Sequence, residues 1–441
     1  MSLDFLVLKM ILPLRKQAEI RNAWLSERLN TVLPEIMRRE GLDMWIVDAR
    51  EYNEDPVIMT LLPEPAMSAR RRTILVFSFD VNGEFERLSI DRYGHPGFYT
   101  PVWKPEEEDQ FACLARIVRE HNPRTIGLNF SETFAFSDGL SYQEYGLMAA
   151  ALGEEYMGCV RSAERVVVGW LERRITAELD VYPGIVQMAQ RLIAEAFSSK
   201  IIRPNVTTTD DVVWWFRQRM QDLGLRAWFQ PTVEIQALGK GFDAPAPGMV
   251  KHAERQVIMH GDLLHCDVGF TYLGLATDHQ QHAYVLKSDE TDAPAGLKRA
   301  LADGNRLQDI LMSAMQVGKT GNEVLHDALE QAKGEGLVPS IYSHPIGYHG
   351  HAAGPTIGLW VQQGGVPGHG DYELFDDTCY SIELNVQKAV REWNGQIVRI
   401  ALEEDAVLRD GQMQWLSGRQ TQFHLIDSPD ATFRSGFKTQ S

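Results

Sequence analysis

The sequence lacks the excess of positive charge that binders of nucleic acids and anionic membranes need. Over 441 residues it carries 43 Lys and Arg against 60 Asp and Glu, a formal net charge of −17 with neutral histidine. Because phosphate groups are bound by basic surfaces, this composition argues against nucleic acid or membrane as a partner.

Cysteines and long apolar runs are also scarce. The four cysteines are far apart and form no CxxC pair, which argues against a disulfide framework and against thiolate zinc sites. The apolar stretch 1–14 is broken by Lys9, has no basic segment ahead of it and is too short to span a bilayer. We therefore expect a soluble, cytoplasmic protein. An exported form stays an alternative if a leader preceded the Met-Ser-Leu start.

The order of apolar patterns predicts the domain organisation. At about 100–200 residues per domain, the length corresponds to two or three domains. In the first third, short apolar runs alternate with helical patterns, with a helix over 17–39 and strands over 44–47, 73–77 and 126–128. Such alternation predicts the α/β (α+β) class, a mixed sheet covered by helices. The pattern changes near residue 170, so we divide the chain into domains 1–169 and 170–430 and a tail, 431–441.

The second domain carries further helix signals. A helical pattern covers 176–198 and contains Pro183, which should start or kink it. The hydroxyls and carboxylates of 207–211 are placed to satisfy the free N–H groups of a helix over 212–220. Two more helices are predicted at 295–316 and 321–332.

Histidines are crowded into one part of this acidic chain. Ten of the 13 histidines fall between His252 and His369, a composition that fits either a metal site or chance. Acids set into strand-like apolar runs favour the metal site. Asp267 lies in such a run, and Asp278 lies eleven residues later, beyond a turn. On the arms of one hairpin the two could face the same side, although backbone donors at strand ends could also satisfy either carboxylate.

Further along, Glu383 and Glu404 repeat the pattern, and a glycine-rich histidine loop, 343–351, lies between the two acid pairs. A buried carboxylate is costly unless a cation or strong donors compensate it. Four carboxylates and one imidazole are enough to hold two divalent ions about 3.5–4 Å apart with a bridging water. Oxygen-rich ligation favours Mn²⁺, with Co²⁺ and Zn²⁺ as alternatives.

The order Asp, eleven residues, Asp, then His, Glu and Glu resembles the pita-bread metallopeptidase family, which includes methionine aminopeptidase, aminopeptidase P, prolidase and creatinase. The resemblance covers about 170–430 and implies a pita-bread catalytic domain behind a smaller, creatinase/prolidase-like amino-terminal domain. It implies a homodimer and a dinuclear centre with the metal ligands Asp267, Asp278, His344, Glu383 and Glu404.

The resemblance also implies roles in catalysis. The family has a histidine seven residues after its ligand histidine, and His351 stands seven residues after His344. Glu383 would be both ligand and proton acceptor for the bridging water, His351 would assist proton transfer, and His252 would contact the substrate, with His260 and His265 as nearby alternatives. Such groups are what amide hydrolysis requires.

Two positions depart from the family pattern. Gln280 stands where the family has Thr or Ser, and Leu402 stands where Arg or Gln is common. The second departure leaves Glu403 as the alternative last ligand. We favour Glu404 because it has a valine, Val407, three residues on.

The resemblance implies a peptidase that removes an amino-terminal residue or splits a dipeptide, with an Xaa-Pro bond as the target. One alternative is a creatinase-like or other metal-dependent amide hydrolase acting on a small non-peptide substrate. Another is a non-catalytic peptide-binding module, which the intact set of ligands disfavours.

Overall fold

The computed structural model describes residues 11–80, 82–240 and 256–427. These residues form two compact units, Leu12–Ala177 and the chain from Glu178 onward. The tail proposed from the sequence at 431–441 and the candidate His252 lie outside the described residues. Within the described residues, no helix combines the length and apolar character that a bilayer span requires.

The amino-terminal unit is built on a six-stranded mixed sheet in the order β4-β3-β2-β1-β5-β6. Its strands are β1 (Met44–Arg50), β2 (Arg72–Phe79), β3 (Phe85–Ile90), β4 (Thr100–Pro101), β5 (Ile126–Leu128) and β6 (Val160–Ser162). Its helices are α1 (Leu14–Asn30), α2 (Val32–Arg39), α3 (Ile58–Leu61), α4 (Gln110–His121), α5 (Tyr142–Met157) and α6 (Glu164–Glu172). Apolar side chains of β1 and β2 pack on α4 and α5, which confirms the predicted mixed sheet covered by helices.

The helix predicted over 17–39 is divided at Thr31 into α1 and α2. Pro34 lies in the first turn of α2 and has no N–H to donate to the carbonyl of Asn30. The Thr31 backbone N–H and hydroxyl both donate to the carbonyl oxygen of Glu27, closing the last turn of α1. A single uninterrupted helix was therefore a wrong prediction.

The carboxy-terminal unit contains four long helices: α7 (Thr176–Ala196), α8 (Thr209–Asp222), α9 (Ala295–Ala314) and α10 (Gly321–Gly334). The first two residues of α7 belong to the preceding unit. Helix α7 begins ahead of Pro183 and continues past it. The predicted start of α8 is confirmed, since Thr208 and Asp211 form a reciprocal capping box.

The strands of this unit form four small sheets, in the orders β20-β12-β9-β8, β14-β15-β18-β19, β13-β16-β17 and β11-β10-β7. Their bounds are β7 (Arg226–Ala227), β8 (Thr232–Gln236), β9 (Leu263–Val268), β10 (Phe270–Tyr272), β11 (Leu275–Ala276), β12 (His279–Val285), β13 (Pro339–Ile341), β14 (His344–Ile346), β15 (Thr378–Ser381), β16 (Leu384–Val390), β17 (Gln396–Leu402), β18 (Asp405–Arg409), β19 (Gln412–Trp415) and β20 (His424–Ile426). Buried side chains of α9 and α10 form one core with those of β16 and β17. This core fixes the strands at whose ends the candidate ligands lie.

Candidate metal centre

Strands β9 and β12 bring the two aspartates together. They pair antiparallel, with Gln280 opposite Asp267 and His279 opposite Val268, and Asp278 comes directly before β12. Oxygen atoms of Asp267 and Asp278 lie within 4.8 Å of each other and of a Glu403 oxygen. The paired strands therefore bring the two carboxylates close together, as the spacing of the aspartates predicts.

The other acids and the histidine reach the same point from three further strands. His344 is the first residue of β14, Glu383 follows β15, and Glu403 follows β17. The His344 Nε2 atom lies 3.5 Å from Glu403 Oε1 and 3.9 Å from Glu383 Oε2. It also lies 3.8 Å from Asp278 Oδ2, so that one imidazole nitrogen faces three carboxylates.

His351 lies at the exposed edge of this cluster. A nitrogen of its ring lies within 4.8 Å of ligand atoms of Asp278 and His344, and the ring stands perpendicular to that of His344, 4.7 Å away between centroids. The rings of Trp228 and Tyr342 pack against it. Partial burial and the adjacent His344 lower the pKa of His351 to about 4.

Glu404 is not part of the cluster. Its buried carboxylate accepts hydrogen bonds from Gln190 Nε2 at 2.9 Å, Gln281 Nε2 at 2.5 Å and the Gln420 backbone N–H at 3.2 Å. Burial raises the pKa of Glu404 to about 8. The structure therefore corrects the choice of Glu404: the residue brought to the other acids is Glu403, the alternative that the sequence left open. Adjacent residues of an extended strand point to opposite sides, so a register error of one residue exchanges them.

Gln280, the departure from the family pattern, holds two of the acids. Its Nε2 group donates to Glu403 Oε2 at 2.7 Å and to Glu383 Oε1 at 2.5 Å. Its Oε1 atom lies 3.0 Å from His265 Nε2, and the Ser381 hydroxyl donates to the other Glu403 oxygen at 2.6 Å. Sequence reasoning missed these roles. The one available signal was a buried amide two residues after Asp278.

Three further histidines of the crowded region contact groups outside the cluster of candidate metal ligands. His279 lies 3.6 Å from Glu404 and 3.7 Å from Asp405. His282 accepts the backbone N–H of Ala401 and contacts the carbonyl oxygen of Leu264. His260 contacts the carbonyl oxygen of Leu286.

The donor atoms of the cluster fit divalent cations. Among the described residues, the buried atoms Asp267 Oδ1, Asp278 Oδ1 and His344 Nε2 have no hydrogen-bond partner. Carboxylate oxygens and an imidazole nitrogen are the ligands that Mn²⁺, Co²⁺ and Zn²⁺ accept. Asp267 and Asp278 belong to one group of possible metal ligands, and Asp278 and His344 belong to another, so cations bound to these two groups would satisfy all three atoms.

The electrostatics of the protein without metal support the same fit. Burial, followed by the charge of Glu403, raises the pKa values of Asp267, Asp278 and Glu383 well above their usual range. Burial also opposes the charge of Glu403, but contacts with His344 and Ser381 lower its pKa. Burying several ionised carboxylates together costs free energy of folding unless positive charge compensates them.

Comparison with known proteins gives the class of this centre. The family model of metallopeptidase family M24 matches residues 185–410, more than half of the chain. The chain belongs to this family, whose members are metal-dependent peptidases. The pita-bread fold implied by the resemblance is thereby confirmed, and the solved structures, which also cover the amino-terminal part of the chain, confirm the two-domain fold.

Solved structures agree in fold over nearly the whole chain. The chain is similar to the X-Pro aminopeptidase from Thermotoga maritima MSB8, with 17% identity, a TM-score of 0.62 and coverage of 89% of this chain and 99% of that one. It is similar to the Xaa-Pro dipeptidase from Bacillus anthracis, with 17% identity, a TM-score of 0.58 and coverage of 91% of this chain and 99% of that one. It is also similar to the prolidase from Pyrococcus furiosus, with 14% identity, a TM-score of 0.55 and coverage of 88% of this chain and 99% of that one. No curated protein matches the chain. Identities this low establish the fold and leave the substrate open.

Proposed function

We propose that this protein is a dinuclear metallopeptidase that hydrolyses Xaa-Pro bonds at the amino terminus of peptides or in dipeptides. The proposed ligands are Asp267, Asp278, His344, Glu383 and Glu403. The observation that carries the proposal is the set of buried donor atoms without hydrogen-bond partners that belong to overlapping groups of possible metal ligands. Mn²⁺ is the favoured metal, with Co²⁺ and Zn²⁺ as alternatives.

Bound divalent ions would polarise the scissile carbonyl and lower the pKa of water to near neutrality. In this proposal Glu383 accepts the proton of the attacking water; its contact with His344 and its hydrogen bond from Gln280 support this role. His351 would hold the substrate from the exposed edge. Its lowered pKa keeps the imidazole neutral near pH 7, so that one ring nitrogen can donate and the other accept.

The remaining parts of the proposal rest on the sequence. A role for His252 in contacting the substrate stays a prediction, as does a cytoplasmic homodimer. The preference for proline is supported by the substrates named for the Thermotoga and Bacillus proteins, whose fold this chain shares.

A metal-reconstituted assay tests the proposal. The enzyme is loaded with Mn²⁺, Co²⁺ or Zn²⁺, its metal content is measured, and it is given Xaa-Pro dipeptides, Xaa-Pro-Yaa tripeptides, matched Xaa-Ala peptides and creatine. We expect turnover of a proline peptide and slower turnover of its alanine counterpart. Full metal loading without turnover of any proline peptide contradicts the proposal, and turnover of creatine alone favours the small-amide hydrolase.

A further inference from the structure

A cavity lies in the amino-terminal unit, which supplies none of the candidate metal ligands. Its volume is about 650 Å³, and it is lined by Arg50, Arg71, Arg72, Arg92, Tyr93, Trp103 and Gln110. Four arginines around one cavity contrast with the net charge of −17 of the whole chain. We propose that this cavity is a binding site for a small organic phosphate of nucleoside monophosphate size.

The sheet places the arginines at one edge. Arg50 ends β1 and Arg72 begins β2, and the two are directly opposite in the antiparallel pair. Arg92 follows the end of β3, the next strand in the sheet. Like charges directly opposite each other destabilise a strand pair, so this edge concentrates positive charge at a cost to the fold.

Internal carboxylates offset only part of this charge. Glu144 accepts from Arg72 Nε at 2.9 Å and lies 3.0 Å from Arg50 Nε. Asp48 lies 4.0 Å from Arg72 Nε. Both acids are buried, whereas the side chains of Arg50 and Arg72 are 41% and 24% exposed.

Arg71 and Arg92 carry the positive charge that these carboxylates do not offset. In the part of the chain that the structure describes, no carboxylate lies within 4.0 Å of either guanidinium. Two acids close to these arginines bind main chain instead: Asp91, next to Arg92 in the sequence, accepts the backbone N–H of Tyr93, and Glu51 accepts the backbone N–H of Arg71. Two unmatched positive charges complement a phosphate monoester, which carries nearly two negative charges at neutral pH.

Two aromatic rings of the cavity lining stack on guanidinium groups, one of them on the lining residue Arg92 and the other on Arg70, the neighbour of Arg71. The Arg92 guanidinium lies over the Trp103 ring, 5.6 Å from its centroid, and Arg70 lies over the Tyr93 ring at 3.9 Å. A guanidinium stacked by its face keeps its N–H edge for an anion, and the stacking reduces the freedom that binding removes.

The backbone beside the cavity is strained in the same place. Arg70 and Arg71 have φ values of 31° and 66°, in the left-handed region that residues other than glycine rarely adopt. Such strain persists only where the surroundings enforce it and is concentrated at functional sites.

The size of the cavity decides between inorganic and organic phosphate. Sites for small organic molecules have volumes of about 300–1,000 Å³, and about 650 Å³ lies in the middle of that range. A free phosphate would contact only part of the lining, whereas a nucleoside monophosphate could contact the arginines and fill the remainder.

Isothermal titration of the full-length, metal-loaded protein tests the proposal, with AMP, adenosine and inorganic phosphate as probes. We expect saturable binding of AMP, and binding of adenosine and of inorganic phosphate at least about tenfold weaker. The double variant Arg71→Gln/Arg92→Gln should lose at least about tenfold in AMP affinity. Arg124→Gln is the matched control, because its side chain in the same unit is 90% exposed, and it should bind AMP as the parent does.

Three results would overturn the proposal: no saturable AMP binding up to about 5 mM, AMP binding equally strong in the double variant, or inorganic phosphate binding as tightly as AMP. The second result would mean that AMP binds at a site that the arginine substitutions leave intact, and repeating the titration on chelated protein shows whether that site is the metal centre. If the double variant does not fold, the single variant Arg92→Gln should weaken AMP binding at least about threefold, and no change there overturns the proposal equally.

Discussion

Two adjacent glutamates with opposite surroundings define the candidate site at the scale of single residues. Glu403 faces His344 and the aspartates, and Glu404 faces three hydrogen-bond donors supplied by glutamine residues. Only the first carboxylate has neighbours that a cation would bind together with it.

We predict that Glu403→Gln and Glu404→Gln have different effects. Glu403→Gln removes a charged ligand, so bound metal should fall below the parent value and peptidase activity should fall by at least about a hundredfold. Glu404→Gln should keep the parent metal content. Metal analysis and an Xaa-Pro assay on both variants provide the measurement, and metal loss in Glu404→Gln alone would refute the assignment.

Gln280 gives a second residue-scale prediction, for a residue that positions ligands without contacting substrate. Gln280→Leu removes the donors to Glu383 and Glu403 and should lower metal affinity or kcat by about 10–100-fold. Gln281→Leu is the matched control, because it removes the neighbouring buried amide, which donates to Glu404. Metal titration and steady-state kinetics distinguish the two, and equal effects would show a loss of strand packing instead.

At this scale the sequence predicted four of the five residues that the structure brings together. Asp267, Asp278, His344 and Glu383 could be found because each is polar within an apolar, strand-like run or a marked loop. Glu403 could not be separated from Glu404, since the choice depends on strand register. The role of Gln280 could not be predicted, because it depends on which strand ends bring Glu383 and Glu403 to this side chain.

At the scale of elements, helix caps and short apolar runs in the sequence were sufficient to predict the helices and strands that depend on neighbouring residues alone. The capping box at Thr208 and Asp211 starts α8 as predicted, and the apolar runs became β1, β2 and β5. The division between α1 and α2 was missed because apolar periodicity continues across Thr31 while Pro34 interrupts the hydrogen bonds. The pattern change near residue 170 precedes the division between units at Ala177 and Glu178.

Helix α6 carries a buried acid that makes stability depend on pH. Burial raises the pKa of Glu172 to about 8, against the attraction of Arg39, Arg165 and Arg174. The folded state therefore keeps a proton that the unfolded chain loses. The stability that this proton provides is complete below the ordinary pKa of glutamate and is lost as the pH rises towards 8.

We predict that Glu172→Gln gains stability relative to the parent as the pH rises from 5 to 8. The difference in free energy of unfolding should change by at most about 1.4 kcal/mol per pH unit. Urea unfolding of both proteins at several pH values, with equal metal loading, measures it. A difference that is constant with pH would contradict the pKa of Glu172 given above.

At the scale of the whole molecule, the buried acids of the centre should couple metal binding to stability. A ligand that binds only the folded state stabilises it in proportion to the logarithm of its concentration over its Kd. Chelation should therefore lower the Tm by several degrees, at about 2–4 °C per kcal/mol for a domain of this size. Calorimetry with and without a chelator measures the shift, and Asp267→Ala should show little of it. An equal shift in that variant would place the stabilising metal elsewhere.

Anomalous diffraction from crystals of the Mn²⁺-loaded protein tests the central claim most directly, because it locates each ion and its ligands. The account predicts two anomalous peaks about 3.5–4 Å apart, bound by Asp267, Asp278, His344, Glu383 and Glu403, with Glu404 still bonded to its glutamines. A fully loaded crystal with no peak at these residues, or with Glu404 in place of Glu403, would contradict it.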